Sequence, residues 1–230
     1  MRRIATVLVG LALAVLVVGL ALAVLTQPFF TRLLAERFSL AQEASLPRER
    51  MLSVAEQVRA FVAGPKGGTL PGVVDGRPGF DAPAVAHLAD VRRVIAGARL
   101  VTGVLAILLA LWFGMEAARG HLDRIAAAMR AAAVWCAALV VLAALAGMLD
   151  FEALFSAFHG LFFAEGTWTF AADSLLIQTF PETFWAVSAA VWGGLVLLGG
   201  SALALGSRAV QRAQARPLSS EEEGVLRNGA

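Results

Sequence analysis

IATVLVGLALAVLVVGLALAVL, residues Ile4–Leu25, carries no charged side chain. It is long enough to cross a hydrocarbon layer about 30 Å thick. Arg2 and Arg3 before it and Ala21-Leu22-Ala23 near its end give it some marks of a signal peptide. Its apolar length exceeds the roughly 7–15 residues of a signal core, so an uncleaved anchor is expected. Three further spans follow: Leu100 to Met115, closed by Glu116 and Arg119; Ala131 to Leu149, between Arg130 and Asp150; and Phe184 to Leu205, ending at Arg208. The composition agrees, since 59% of the 230 residues are apolar, more than a soluble domain of this length can hide. Lipid must cover the remainder. The fold class is therefore all-α and membrane-integral, with four transmembrane helices.

Orientation follows from the positive residues of the short connections. Arg2, Arg3, Arg119, Arg124, Arg130, Arg208, Arg212 and Arg216 share one side when four spans alternate, whereas the loop from Asp150 to Glu182 has no Lys or Arg. Both termini are expected in the cytoplasm. The expected segments are 1–25, 99–117, 131–149 and 183–206 as spans, 26–98 as an extracytoplasmic insert, 118–130 as a cytoplasmic loop, 150–182 as an outer interfacial segment, and 207–230 as a cytoplasmic tail. The tail, with Ser219, Ser220 and Glu221 to Glu223, is polar enough to be disordered. A formal net charge of +2 is used up by these orientation signals, which leaves no basic patch for nucleic acid. Cys136, the single cysteine, lies among apolar residues and is expected to serve packing.

The insert has helical periodicity in two places. After Pro28, the residues Phe30, Leu33, Leu34 and Phe38 fall on one face, which is expected to rest on the membrane. From Pro47, a stripe of Met51, Val54, Ala55, Val58, Phe61 and Val62 opposes Glu49, Glu56 and Arg59, and Gly64-Pro65 ends it. The Gly- and Pro-rich stretch from Lys66 to Gly79 is a loop with room for a hairpin at Asp75-Gly76. Asp81 offers an N-cap ahead of Pro83, and that helix is expected to run past His87 and Asp90 into the second span. His87 then stands about one or two turns above the hydrocarbon.

Neither a serine elbow, a phosphate loop, a His-Glu-x-x-His string nor a cysteine pair is present. Histidine is left as the informative residue. His121 falls in the cytoplasmic loop beside Arg119 and Arg124 and is expected to be a surface side chain. His87 and His159 both fall on the outer side and have the intrinsic pKa suited to proton transfer near neutrality. Around His159, the residues Phe151, Phe155, Phe158 and Phe162 recur at helical spacing, the pattern of an interfacial or re-entrant Phe-rich helix. Taken alone, each histidine has a plain structural reading: His159 bonded to a backbone acceptor in an aromatic anchor, and His87 paired with Asp90.

The longer strings carry more. His87-Leu88-Ala89-Asp90-Val91-Arg92, then Phe158-His159-Gly160-Leu161-Phe162-Phe163, Trp168, Asp173-Ser174-Leu175-Leu176-Ile177 and Phe180-Pro181-Glu182-Thr183-Phe184 resemble the bacterial lipoprotein intramolecular transacylase family. The resemblance extends to the four-span layout and the helix from Arg48 to Gly64. It implies transfer of the sn-2 acyl chain of a diacylglyceryl lipoprotein to the α-amino group of its terminal cysteine. It also implies the bacterial cell membrane as location, a diacylated lipoprotein and membrane lipid as partners, and His87 and His159 as the essential pair. No cofactor or metal is expected. The chemistry is compatible: an amine must lose a proton as it attacks an ester, and the glyceryl oxygen must gain one. Donor and acceptor lie in one molecule, which raises their effective concentration and reduces the need for an activated enzyme nucleophile. Asp90 is a candidate to orient His87, Trp168 and Arg92 are candidates to contact the ester oxygen or headgroup, and Asp173 is a further supporting candidate. The residues leave open whether a histidine is base or nucleophile. Two other readings fit the same residues: an outer-face metallohydrolase using His87, His159 and Asp90 or Asp173, and a non-catalytic assembly or lipid-binding protein.

Overall fold

The computed structural model describes residues 2–65 and 67–215. The tail residues Arg216, Ser219, Ser220 and Glu221 to Glu223, and Lys66 in the loop, lie outside the described residues. In chain order the elements are α1 (Arg2–Leu25), α2 (Pro28–Phe38), α3 (Arg48–Ala63), β1 (Val73–Val74), β2 (Arg77–Pro78), α4 (Ala82–Ala118), α5 (Leu122–Leu149), α6 (Phe151–Gly160), α7 (Leu175–Thr179) and α8 (Glu182–Gln214).

Among the described residues, four helices are long and apolar enough to cross a membrane: Ile4–Leu25 of α1, and α4, α5 and α8. The protein is a multi-pass membrane protein. Helix α5 packs along both α1 and α8, and α1 also touches α4. Since lipid is as apolar as leucine, such helices gain from close contact rather than from leaving water. Small residues at the seams permit it. A Cβ added at Gly200 would come within 2.9 Å of the Cβ of Cys136, which is itself buried and unpaired, in keeping with a packing role. The bundle's inner residues are Leu13, Ala14, Leu109, Ala132, Cys136 and Val196, while Leu100, Ile107, Leu111, Leu142 and Leu198 face outward.

The insert links α1 to α4 in the chain and builds a second core that it shares with α7 and the start of α8. Met51, Val54, Ala55 and Val58 of α3 pack against Phe30 and Leu34 of α2, and Val74, Phe80, Ala84, Leu88, Leu175, Phe180 and Phe184 complete the cluster. Helix α2 therefore divides its apolar residues differently from the periodic expectation. Phe30 and Leu34 turn into α3, whereas Leu33 stays exposed with Phe29. The partner helix claims the stripe, because α3 offers a closer apolar surface than a face shared by all four residues would meet.

The hairpin forms at Asp75-Gly76, with Val73 opposite Pro78 and Val74 opposite Arg77. Both turn residues have positive φ, 49° and 80°, as a two-residue type I′ turn requires, and glycine takes the second at no steric cost. Arg50 pairs with Asp75 at 2.8 Å and ties the tip to α3. The last carbonyls of α3 are capped by arginines of α4: Arg92 Nη1 donates to Phe61 O at 2.6 Å, and Arg99 Nη1 donates to Ala63 O. Arg99 also reaches Thr26 Oγ1, just past α1.

Asp81 caps α4, accepting from Ala84 N at 2.9 Å, and the helix then continues without a break through His87 to Ala118. At the far end of the bundle the expected loop over 118–130 shrinks to a turn at Arg119–His121, since α5 already begins at Leu122. Its cause is Glu116, a buried carboxylate that gathers Arg124 Nη1 at 3.0 Å, His121 Nδ1 at 3.0 Å and Arg119 Nη1 at 3.6 Å. His121 is thus a surface side chain, 39% exposed, that is also bonded into this cluster.

Candidate active site

Two elements deliver the histidines. His87 sits in the second turn of α4, buried, next to Ala84 and Leu88 of the insert core. Its position is fixed at the start by the Asp81 cap and at the back by that core. His159 sits near the end of α6, a helix capped by Asp150, whose carboxylate accepts from Ala153 N at 2.9 Å. The two rings lie with centroids 6.3 Å apart and 28° from parallel. Residues 72 positions apart in the chain therefore share one site.

Aromatic side chains enclose them. Phe163 meets His87 edge-on at 4.9 Å and Phe170 lies 5.5 Å from it. Phe155 lies 4.0 Å from His159, Trp168 4.8 Å, Phe158 5.6 Å and Phe163 5.7 Å. Phe163 touches both histidines. The wall around the pair is thus apolar, and polar contacts are few.

One polar contact sets the state of His159. Its Nδ1 lies 2.8 Å from Phe155 O, and a carbonyl can only accept, so Nδ1 carries the hydrogen. In the neutral ring Nε2 is then left with the lone pair, the form a general base needs. Burial lowers the His159 pKa from its ordinary value, while the bond to Phe155 works in the opposite direction. The ring stays neutral around pH 7.

Two side-chain nitrogens at the site have no partner among the described residues: His87 Nδ1 and Trp168 Nε1, both buried. A buried polar atom without a partner costs about 1–3 kcal/mol. Two of them within one aromatic enclosure mark a place where a ligand can bond.

The supporting residues distribute unevenly. Trp168 joins the pair through its ring contact with His159. Asp90 does not bond to His87; its carboxylate pairs with Arg93, one turn on along the exposed face of α4. Arg92 is spent on Phe61 O. Asp173 is exposed and forms no hydrogen bond or ion pair among the described residues, as is also true of Glu165. Neither carboxylate is thus placed as a third ligand beside the histidines, and no group of three His, Cys, Asp or Glu side chains suited to a metal occurs among the described residues. Phe163 and Phe170, which wall in His87, are not among the candidate site residues that the sequence supplies. Phe163 stands four residues after His159, a spacing that could have flagged it, but Phe170 lies in a loop with no such signal.

Comparison with known proteins identifies the family and the fold. The family model for the lipoprotein intramolecular transacylase Lit matches residues 5–185. No curated protein matches the chain. Among solved structures, the fold is similar to that of the membrane-integral lipoprotein intramolecular transacylase Lit from Bacillus cereus, with a TM-score of 0.76 at 17% identity, covering 93% of this chain and 97% of that one. A Bacillus cereus Lit structure with one histidine replaced by arginine gives a TM-score of 0.73 at 16% identity, covering 93% of each chain. The variant with that histidine replaced by alanine gives 0.67 at 16% identity, covering 93% of this chain and 95% of that one. With a family match spanning most of its length and the same fold, this chain belongs to the lipoprotein intramolecular transacylase family.

Proposed function

We propose that the protein transfers the sn-2 acyl chain of a diacylglyceryl lipoprotein to the α-amino group of that lipoprotein's N-terminal cysteine, yielding an N-acyl, S-monoacylglyceryl product. The observation that carries this reading is the meeting of His87 and His159 inside one aromatic enclosure, with His159 Nδ1 committed to Phe155 O. His159 Nε2 takes the proton as the neutral amine attacks the ester carbonyl. The C–N bond forms, the glyceryl C–O bond breaks, and the proton taken by His159 is passed on through His87 to the glyceryl oxygen. One proton leaves nitrogen and one arrives at oxygen, so the pair ends with the charge it began with. Phe155, Phe163 and Trp168 keep water from competing with the amine.

The site lies on the outer face of the bacterial cell membrane, with both termini in the cytoplasm. Residues 26–98 and 150–182 are then outside, and the turn at Arg119–His121 is inside. The absence of Lys and Arg from 150–182, set against Arg119, Arg124, Arg130, Arg208 and Arg212 on the other side, supports this orientation, and the long segment 26–98 is exempt from the charge rule.

Mass spectrometry of lipoprotein N-termini from cells with and without this chain tests the reaction. N-acyl, S-monoacylglyceryl peptides are expected only with the chain. Diacylglyceryl peptides unchanged by its presence would refute the reading.

A further inference from the structure

The indole of Trp168 is held by its ring and left free at its nitrogen. Its face lies 4.8 Å from His159 and 31° from parallel, and Phe155 lies 6.3 Å away. The loop that carries it turns at Gly166, where φ is +78°, and is pinned by Thr167 Oγ1 donating to Ala164 O at 2.8 Å. An interfacial anchor would look different: its N–H would reach headgroup oxygens or water, but Nε1 here is buried.

An indole N–H can only donate, so its missing partner is an oxygen or another acceptor supplied by a ligand. The other N–H groups nearby are already committed or assigned. His159 Nδ1–H faces Phe155 O, and a protonated Nε2 is the product of the base step, not its starting point. We propose that Trp168 is a catalytic residue, its Nε1–H holding the ester carbonyl oxygen of the substrate as negative charge develops on it. This rests on the acyl-transfer reading above. As the amine nitrogen bonds to the carbonyl carbon, the C=O electron pair moves onto oxygen and is held by Nε1–H. His159 Nε2 removes the proton from nitrogen. The pair then returns from oxygen to carbon, the glyceryl C–O bond breaks, and the departing oxygen takes the proton that His159 has passed on through His87. The amide is left at nitrogen, and no oxidant or further reactant is needed.

A ring contact between base and donor fits this chemistry. The amine and the carbonyl oxygen are substituents of one reacting carbon, so the group that takes the amine proton and the group that binds the oxygen must be neighbours.

Trp168→Phe keeps an aromatic ring and removes only the donor. With the full chain in detergent or bilayer and a synthetic diacylglyceryl lipopeptide as substrate, kcat is expected to fall about 10²–10³-fold, the range for removal of one such donor. KM should change less than about threefold, since the bond strengthens only as charge develops. A kcat within threefold of wild type would overturn the assignment, and so would a loss confined to KM. Should the Phe variant fail to accumulate, replacement of Trp168 by benzothienylalanine preserves the bicyclic shape without the N–H, with the same outcomes expected. Wild-type protein that makes no N-acyl product overturns the acyl-transfer reading and this role with it. Wild-type product with an unimpaired Trp168→Phe variant overturns this role alone.

Discussion

His159 shows how one backbone carbonyl can fix the tautomer of a side chain. With Nδ1–H donated to Phe155 O, Nε2 is the free basic nitrogen. His87, walled by Phe163 and Phe170, is the partner of His159 in the proposed proton circuit. If the two act as a unit, His87→Ala and His159→Ala should each lower turnover about 10²–10⁴-fold, and the double variant should lose little more than the worse single one. Lyso-lipoprotein formation, measured beside protein level and detergent stability, checks this; well-folded single variants of near-normal turnover would remove the pair. The pH profile carries a sign. Because the His159 pKa is lowered, its base form persists as pH falls, so the substrate amine, with a pKa near 8, titrates first. The logarithm of kcat/KM should rise with unit slope between about pH 6.5 and 8, and steepen toward two only below about 6.5. A slope of two already above that value would show a base with a raised pKa. Asp90→Asn should leave turnover within about threefold of wild type, since Arg93, not His87, holds that carboxylate. Sequence could place both histidines near one membrane surface because each follows or precedes a span by a countable number of turns. It could not choose between Arg93 and His87 as the partner of Asp90, which are equally spaced from it along the helix. Nor could it reveal Phe170, since nothing local links a loop phenylalanine to a histidine on α4.

At the scale of elements, α4 carries the greatest burden. It presents His87, caps α3 through Arg92 and Arg99, and ends in the Glu116 cluster. Its start was legible from Asp81 and Pro83, a cap and a first-turn proline, and the hairpin was legible from Asp75-Gly76 for the same reason: local chemistry set the geometry. The connection from α4 to α5 was not, because a run of alanines punctuated by Arg124 and Arg130 reads as loop or helix until a buried carboxylate is seen to organise it. The Asp81 cap lies only six residues before His87. Asp81→Ala should therefore destabilise the start of α4 by about 1 kcal/mol and lower activity through the placement of His87. Asp81→Ser, which retains a capping oxygen, should restore most of both. Thermal melting in detergent beside turnover checks the pair; equal activity in all three proteins would mean that the site does not depend on the cap.

The whole molecule divides by the solvent of its parts. Orientation can be read by attaching a membrane-impermeant thiol reagent to single cysteines at Val73, which is exposed in the hairpin, and at Ala118, exposed at the end of α4. Cys136 is buried and should stay silent. Labelling of Val73→Cys but not Ala118→Cys in intact cells is expected; the reverse pattern would put the histidines on the cytoplasmic side. The span count was legible because lipid imposes length and apolarity on every crossing helix. The insert core was only half legible, since which residues of α2 face α3 depends on a helix that lies elsewhere in the chain. That core has a further consequence. Met51, Val54 and Val58, with Leu88 beside His87, are gathered by the hydrophobic effect in water, whereas Leu13, Ala132 and Val196 are gathered by packing within lipid. Urea weakens the first kind of association and hardly reaches the second. In a urea titration of the micelle-bound protein, turnover should vanish at a concentration where far-ultraviolet circular dichroism still reports the spanning helices intact. The enzyme would then be chemically silenced while still threaded through its membrane, and dilution of the urea should return it to work without reinsertion.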